Sequence, residues 1–194
     1  HIAELGTTIA ALHTTLASDH TDPVFAPQEI TEQHFALLCA SIDEDVCELC
    51  ATVAEHPVAA SLHDRRDAIR DRIRAIATTS GLGRRIRDHG DLHLGQALWW
   101  QGHWELIDFE GEPTRPLRER RRMHSPLRDV AGMLRSIDYA VAVALREGGD
   151  VDPAWRDRAR QALLEQYLAH MDHSGLLPTT RDAIQDLLAL HELE

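Results

Sequence analysis

The sequence predicts a mostly helical α+β fold with one small β-hairpin. Apolar residues recur every three or four positions from Ile2 to Leu16, which is the period of one buried helix face. Similar patterns predict helices over about 27–55, with an interruption near Ser41, and over about 57–78. Two short apolar runs, 97–100 and 104–107, flank Gln101-Gly102-His103 and predict a hairpin.

Turn and capping residues set the predicted element boundaries. Proline and glycine pairs end helices, and Asp or Thr before an apolar run begins them. These signals are the Asp22-Pro23 turn, a Ser80–Gly83 linker into a strand at 85–87, a helix over 129–146 ended by Gly148-Gly149, a helix capped by Asp152 with Pro153 at its first position, and a last helix to Leu193 capped by Thr179 or Thr180.

Charge and hydropathy exclude several classes of protein. The 194 residues carry a formal net charge of −12, which repels nucleic acid and anionic membrane surfaces. No apolar run approaches the roughly 18 residues of a membrane-spanning helix, and no signal peptide opens the chain. We therefore expect a cytoplasmic protein with small-molecule partners, without nucleic acid or membrane.

Three cysteines lie within one apolar helical segment. Cys47 and Cys50 form a CxxC, with Cys39 nearby. Zinc would need two further ligands, and there is no second CxxC or βαβ context for redox chemistry. We interpret the thiols as small buried apolar groups rather than as a metal or redox site.

Two acidic residues have a spacing that suits phosphoryl transfer. Asp91 lies in His89-Gly90-Asp91-Leu92-His93, and the predicted hairpin would bring Asp108 of Asp108-Phe109-Glu110 back beside it. This reaction needs one carboxylate to accept the proton of the attacking hydroxyl and oxygen ligands for Mg²⁺. Asp91 is suited to act as the base and Asp108 as the metal ligand. The alternative is that both carboxylates only cap turns, but turn caps would not require this spacing between the two residues.

Three segments carry a family resemblance, which runs without a gap from about His89 to Tyr139. HGDLHLGQALW, IDFEGEPTRPLRERRR and SPLRDVAGMLRSIDYA resemble the actinobacterial maltokinases and the related glucosamine kinases, a branch of the aminoglycoside phosphotransferase-like kinases. Weaker similarity extends to 9–13 and 187–194. The resemblance implies the C-terminal lobe of a protein-kinase-like fold, with ATP as co-substrate and Mg²⁺ as cofactor.

The resemblance also implies roles for individual residues. Gln96 stands where those kinases carry a metal-binding Asn, and its amide oxygen is a hard donor that suits Mg²⁺. Glu110 replaces the glycine of Asp-Phe-Gly and either reaches a second Mg²⁺ or bonds backbone. His89 and Asp129 are expected to support the catalytic loop, Asp129 by accepting its backbone N–H groups. His93 is expected to be structural, because Mg²⁺ prefers oxygen to imidazole.

Maltose is the acceptor that the resemblance first implies, giving maltose 1-phosphate in trehalose and glycogen metabolism, with association or fusion with trehalose synthase. Glucosamine phosphorylation is the alternative within the family. A catalytically weak regulatory or structural module is the second alternative, although intact Asp91 and Asp108 argue against it.

All 20 positively charged residues are arginine. The kinases of this type hold the ATP phosphates with a strand lysine, so we expect an N-terminal lobe outside this chain. We predict that residues 1–194 form one C-lobe domain with its catalytic and metal-binding segment at 84–113, and that the last helices of the lobe are also absent. The chain would then be part of a longer polypeptide.

Two further features allow alternative interpretations. The arginines at 115, 118 and 120–122 either order the segment after the metal motif through Glu110, Glu112 and Glu119 or form a solvated loop. Trp99, Trp100 and Trp104 alternate along the hairpin, which predicts one core face and one open face. Sugar stacking on the open face is the less favoured interpretation.

Overall fold

A computed structural model describes residues 1–56, 59–152 and 154–194, and these form a mostly helical fold with two small two-stranded sheets. This agrees with the predicted mostly helical class. The helices are α1 (Ile2–Leu16), α2 (Glu32–Thr52), α3 (Ala60–Ile76), α4 (Leu117–Arg120), α5 (Leu127–Arg146), α6 (Trp155–Met171) and α7 (Arg181–Leu193). The strands are β1 (Gln28–Glu29), β2 (Arg84–Arg85), β3 (Ala97–Trp100) and β4 (His103–Leu106), and a 3-10 turn spans Leu94–Gln96.

Helix pairs build the core. α1 packs along α6, α5 packs against α7, and α2 packs against α3. The closest approach is at Gly6 of α1, where a Cβ atom would lie 2.3 Å from the backbone oxygen of Leu163 in α6. Leu5, Ile9 and Leu163 are fully buried along this contact. A glycine in the middle of α1 therefore serves close helix packing.

Helix α2 differs from its prediction at both its start and its middle. It begins after Thr31, whose hydroxyl accepts a hydrogen bond from His34 N–H at 3.3 Å, and the preceding residues form β1 instead. The helix also continues through Ser41 without interruption, because the buried residues keep helical spacing across it. Those buried residues are Phe35, Cys39, Ile42, Val46 and Cys50.

The hairpin forms with a shorter turn than predicted. His103 pairs with Trp100, so β4 begins one residue earlier than expected and ends at Leu106. Gln101 and Gly102 have φ angles of 48° and 86°, which is the pattern of a two-residue type I′ turn. Trp99 and Trp104 share one face in edge-to-face contact at 5.2 Å, whereas Trp100 is 59% exposed on the other.

Other boundaries follow their predictions in part. The predicted strand at 85–87 is Arg84–Arg85, which pairs with β1, and Ile86 forms a single bridge to His124. Thr180 caps α7 by accepting a hydrogen bond from Ala183 N–H. Ala154, not Asp152, precedes α6, although the Asp152 carboxylate accepts a hydrogen bond from Ala154 N–H at 3.0 Å.

Some predictions fall partly outside the described residues. The first residues of the helix predicted over 57–78 do so, and α3 is observed from Ala60 to Ile76; the expected Pro153 position also lies outside. Within the described part of the chain, none of the helices combines the length and the apolarity that crossing a membrane requires. Cys39 and Cys50 are buried in α2, and burial raises the pKa of the Cys39 thiol to about 11.

Candidate active site

Asp91 lies in the loop between β2 and the 3-10 turn, at the edge of an open cavity of about 470 Å³. The cavity is bounded by this loop, by α5 and by the segment after Asp108. It is lined by charged and polar residues, which include Asp91, His93, Glu112, Arg115, Arg128, Asp129, Arg135, Ser136, Tyr139 and Glu194. An acceptor the size of a sugar ring would fit a space of this volume.

Partial burial is the main reason that the pKa of Asp91 is raised, and the negative charge of Glu112 is the next. His93 and His89 oppose this shift, and Asp108 adds a smaller repulsion. A carboxylate with a raised pKa in a cavity is a better proton acceptor when ionised than an ordinary aspartate. The repulsion also indicates that Glu112 and Asp108 lie within electrostatic reach of Asp91.

Asp129, in the first turn of α5, holds the loop that carries Asp91. Its two carboxylate oxygens accept hydrogen bonds from His89 N–H at 2.8 Å and from Gly90 N–H at 3.0 Å. Asp129 is buried, which by itself would raise its pKa, but a hydrogen bond from His13 and these two N–H donors outweigh burial and lower the pKa. Asp129 is therefore ionised and fixes the backbone immediately before Asp91.

His13 and Tyr167 complete a buried chain of hydrogen bonds behind Asp129. His13 Nε2 lies 3.0 Å from Asp129 Oδ2, and His13 Nδ1 lies 2.9 Å from the Tyr167 hydroxyl. Because ionised Asp129 only accepts, Nε2 carries the proton, and Nδ1 accepts from the hydroxyl. Burial, together with the charge of Asp129, raises the pKa of Tyr167 well above its ordinary value, which keeps this hydroxyl a donor.

His89 links the Asp91 loop to the Asp108 segment. Its Nε2–H donates to the backbone oxygen of Ile107 at 2.8 Å, and its ring contacts Phe109 with centroids 4.9 Å apart. The side chain is buried, and Nδ1 has no hydrogen-bond partner among the described residues. The residues on both sides of Asp108 are thus fixed to the loop that carries Asp91.

Gln96 and Asp108, which flank the hairpin, are in direct contact. Gln96 Nε2 donates to Asp108 Oδ2 at 3.2 Å, while the backbone of Ile107 bonds to that of Gln96. Asp108 has a φ angle of 65°, a conformation that non-glycine residues rarely adopt and that often occurs at functional sites. The side chains of both residues lie outside the lining of the 470 Å³ cavity described above.

This donor set fits a magnesium ion. Asp108 supplies carboxylate oxygens, and rotation of the Gln96 amide would turn its oxygen toward the same space. Mg²⁺ commonly uses one or two protein ligands and completes its shell with water and phosphate oxygens. Within the described residues no three His, Cys, Asp or Glu side chains cluster as a metal site, so any ion here would need those other ligands.

The arginine-rich segment after Asp108 is partly ordered by ion pairs. Arg120 donates to the Glu110 backbone oxygen at 3.1 Å and lies 3.8 Å from its carboxylate. Glu112 instead accepts two hydrogen bonds from Thr114 through Oε1. Glu110 therefore faces Arg120, and the described structure shows no contact between Glu110 and either Gln96 or Asp108.

A second group of charges lies at the end of α7. Glu194 accepts from Arg128 Nε at 2.9 Å and from His191, and its pKa falls to about 2 because these contacts outweigh its burial. Arg128 also contacts Asp88, which pairs with His124 at 3.1 Å. These pairs join the Asp91 loop to α5, to α7 and to the arginine-rich segment.

Most of the residues that the sequence indicated come together here. Gln96 contacts Asp108, Asp129 and His89 hold the backbone around the two acids, and His93 Nδ1 accepts from Gly95 N–H within the 3-10 turn. Tyr167 and Glu194 were not indicated, and Glu112 was indicated only as an ion-pair partner of the arginines at 115–122. Burial of Tyr167 beside His13 depends on helix packing across 154 residues, and no local pattern contains that signal.

Comparisons with known proteins found relatives that align with most of this chain. No protein-family model matches the chain. A glucosamine kinase from Streptacidiphilus jiangxiensis is 31% identical over 183 residues, which are 90% of this chain and 40% of that protein. A glucosamine kinase from Mycolicibacterium smegmatis is 28% identical over 145 residues, 75% of this chain and 34% of that protein.

Solved structures show the same relationship. A glucosamine kinase structure in crystal form B superposes with a TM-score of 0.84 at 27% identity, over 98% of this chain and 45% of that chain. A glucosamine kinase in complex with glucosamine, ADP and inorganic phosphate also gives a TM-score of 0.84 at 27% identity. The chain spans less than half the length of these relatives. By sequence and by fold, this chain is similar to one region of proteins that are named glucosamine kinases.

Proposed function

We propose that this chain is the catalytic C-terminal lobe of an ATP-dependent sugar kinase and that the sugar is glucosamine. The observation that carries the proposal is the Gln96–Asp108 pair held beside the Asp91 cavity by Asp129 and His89. The relatives named glucosamine kinases support this acceptor. They do not support maltose, trehalose synthase or glycogen metabolism.

In the proposed reaction, the ionised Asp91 carboxylate orients a sugar hydroxyl and accepts its proton as the oxygen attacks the terminal phosphate of ATP. Gln96 and Asp108 would hold Mg²⁺, which neutralises charge on the phosphates. Asp129 keeps the His89 and Gly90 N–H groups in place, so that Asp91 meets the hydroxyl in one geometry. His89 donates a hydrogen bond to the Ile107 carbonyl, and this contact fixes the neighbouring Asp108 relative to that loop.

Exposed apolar side chains suggest where the nucleotide base lies. Leu98 is 47% exposed on the same face of β3 as Trp100, and it follows the proposed metal ligand Gln96 by two residues. A purine needs an apolar surface of this kind, and the rest of its pocket would come from an N-terminal lobe. The 194 residues contain no lysine for the phosphates.

An assay of sugar-dependent ADP release tests the proposal. The natural full-length polypeptide is supplied with Mg·ATP and, separately, with glucosamine, glucose and maltose. We expect turnover with glucosamine and far lower kcat/KM with maltose. Preference for maltose, or no sugar-dependent ADP release at all, would refute the assignment.

A further inference from the structure

The Asp91 cavity contains one carboxylate, Glu112, that forms no ion pair with a described residue and has no assigned task, although the charges of Arg115 and Arg128 act on it from beyond ion-pair distance. Four carboxylates and three guanidinium groups line the cavity. Arg128 and Arg115 pair with Glu194 at 2.9 and 3.6 Å, and Arg135 donates to the backbone oxygen of His191. Asp129 is fully engaged by N–H donors. Asp91 and Glu112 are the two that remain.

Glu112 is held toward the cavity by its own turn. Its Oε1 accepts from the Thr114 hydroxyl at 2.8 Å and from Thr114 N–H at 3.3 Å. Oε2 has no hydrogen bond or ion pair with any described residue, and Glu112 lines the cavity together with Asp91. These contacts also lower the pKa of Glu112, with the Thr114 hydroxyl the largest cause, so the group is ionised at neutral pH.

We infer that Glu112 is a specificity-determining residue that binds the ammonium group of an amino-sugar acceptor through its free Oε2. The inference rests on the proposed function and adds to it the residue that distinguishes an amino sugar from a neutral one. Asp91 takes the reacting hydroxyl, and Glu112 takes the charge elsewhere on the same ring. A charge-assisted hydrogen bond of this kind is stronger than a neutral one.

The preference for an amino sugar over a neutral sugar follows from the group that each sugar would place next to Glu112. With glucose in the cavity, the ionised Glu112 would face a hydroxyl in place of an ammonium group and would lose the electrostatic part of the contact. Removing the charge of Glu112 should therefore weaken binding of glucosamine and leave binding of glucose nearly unchanged.

The test uses the natural full-length polypeptide with Mg·ADP bound, and calorimetric titration of glucosamine and of glucose at pH 7. We expect Glu112→Gln to weaken glucosamine binding about tenfold or more, the usual scale of a hydrogen bond to a charged group. Glucose binding should change less than about twofold. Glu119→Gln is the matched control, because it removes the same charge from the same segment outside the cavity lining.

Thr114→Val is a second variant that keeps the charge but removes the hydroxyl that orients Glu112. It should weaken glucosamine binding selectively and by less than Glu112→Gln, and it keeps the inference testable if Glu112→Gln fails to fold. If binding of both sugars is weakened equally in the variant that folds, or if that variant binds glucosamine as well as the wild type does, the inference is overturned. The proposed function still stands in that case if the wild-type protein releases ADP with glucosamine. A wild-type protein that phosphorylates no sugar, or neutral sugars alone, would overturn both.

Discussion

At the scale of single residues, Asp129 accepts three hydrogen bonds beside the proposed site. Its carboxylate accepts from His13, His89 N–H and Gly90 N–H, and His13, His89 and Asp129 are all buried. A buried carboxylate with three N–H donors is stable only as the anion. Asp129 therefore fixes the backbone immediately before Asp91.

Asp129→Ala should destabilise the protein by about 1–3 kcal/mol or more, because it leaves buried N–H donors unpaired. Urea denaturation measures this loss, and faster amide hydrogen exchange at His89 and Gly90 should accompany it. Asp138→Ala on the same helix is the control, since that carboxylate is 44% exposed and its pair with Arg160 is worth about 1 kcal/mol or less. Equal losses in the two variants would contradict the role of Asp129.

Asp91 and Asp108 should respond differently to removal of charge. In the full-length polypeptide, Asp91→Asn should leave Mg·ATP binding intact and lower kcat by roughly a hundredfold or more, as expected for a positioned base. Asp108→Asn should weaken Mg·ATP binding as well as turnover, because a charged metal ligand is lost. Nucleotide titration and steady-state rates separate the two. Near-normal turnover in Asp91→Asn would show that another group is the base.

The raised pKa of Asp91 predicts a pH dependence. A base acts when ionised, so activity falls as pH drops through its pKa, and a raised pKa places this acid limb at higher pH than for an ordinary aspartate. Burial is the larger cause, and the Glu112 charge is the second. Glu112→Gln removes that repulsion, which lowers the pKa of Asp91 and moves the limb to lower pH. Profiles of kcat/KM check this against Glu119→Gln, and an unmoved limb in Glu112→Gln would contradict it.

At the scale of secondary structure, the contact between α1 and α6 positions His13 and Tyr167 opposite each other. Gly6 allows the backbones to approach closely in the turns of α1 before His13. The same approach brings the Tyr167 hydroxyl to 2.9 Å from His13. The packing of α1 against α6 therefore positions His13 against Asp129, and Asp129 in turn holds the Asp91 loop.

Gly6→Ala should destabilise the protein although alanine is the better helix former. Alanine gains about 1 kcal/mol in an ordinary helix interior, but here its Cβ would lie 2.3 Å from the Leu163 backbone oxygen. Forced separation of packed helices costs about 1–3 kcal/mol. Denaturant unfolding measures the balance, with the exposed Thr15→Ala on α1 as the control. A more stable Gly6→Ala protein would show that the contact relaxes freely.

At the scale of the whole molecule, the proposed base Asp91 and the proposed metal ligands Gln96 and Asp108 have different surroundings. The Asp91 cavity lies against α5 and the end of α7, whereas Gln96 and Asp108 lie on the exposed side of the hairpin with Leu98 and Trp100. An ATP site needs phosphate-binding and base-binding groups beyond these. In the proposed reaction, the described residues would supply the Asp91 cavity and two metal ligands, and further groups would hold the nucleotide.

The 194-residue chain alone should release no sugar-dependent ADP, even when folded, because it lacks a lysine for the ATP phosphates. The full-length polypeptide measured in parallel is the positive control, and circular dichroism shows whether the shorter chain is folded. Turnover by the 194-residue chain would place the nucleotide site within it.

The sequence by itself determined the features that depend on near neighbours. Helical spacing located α1, α5 and α7, and the glycine-containing turn predicted at 101–103 located the hairpin to within one residue. Spacing is informative here because periodicity, capping and two-residue turns act over a few residues. The predicted interruption near Ser41 was wrong, because the local preference of one polar residue is weaker than the stabilisation that a long helix gains from its buried face.

Tertiary structure decided which distant side chains complete the site. Tyr167 meets His13 across 154 residues, and His13 meets Asp129 across 116. Glu112 faces Asp91 because two loops fold around one cavity, and Glu194 reaches Arg128 because α5 packs against α7. Such contacts depend on how helices pack against each other. Burial then raises the pKa of Asp91, whereas hydrogen bonds outweigh burial and lower the pKa values of Asp129 and Glu194. An Asp or Glu residue has the same letter in the sequence whether it is exposed or buried, so the pKa of its carboxyl group is decided only in the folded chain.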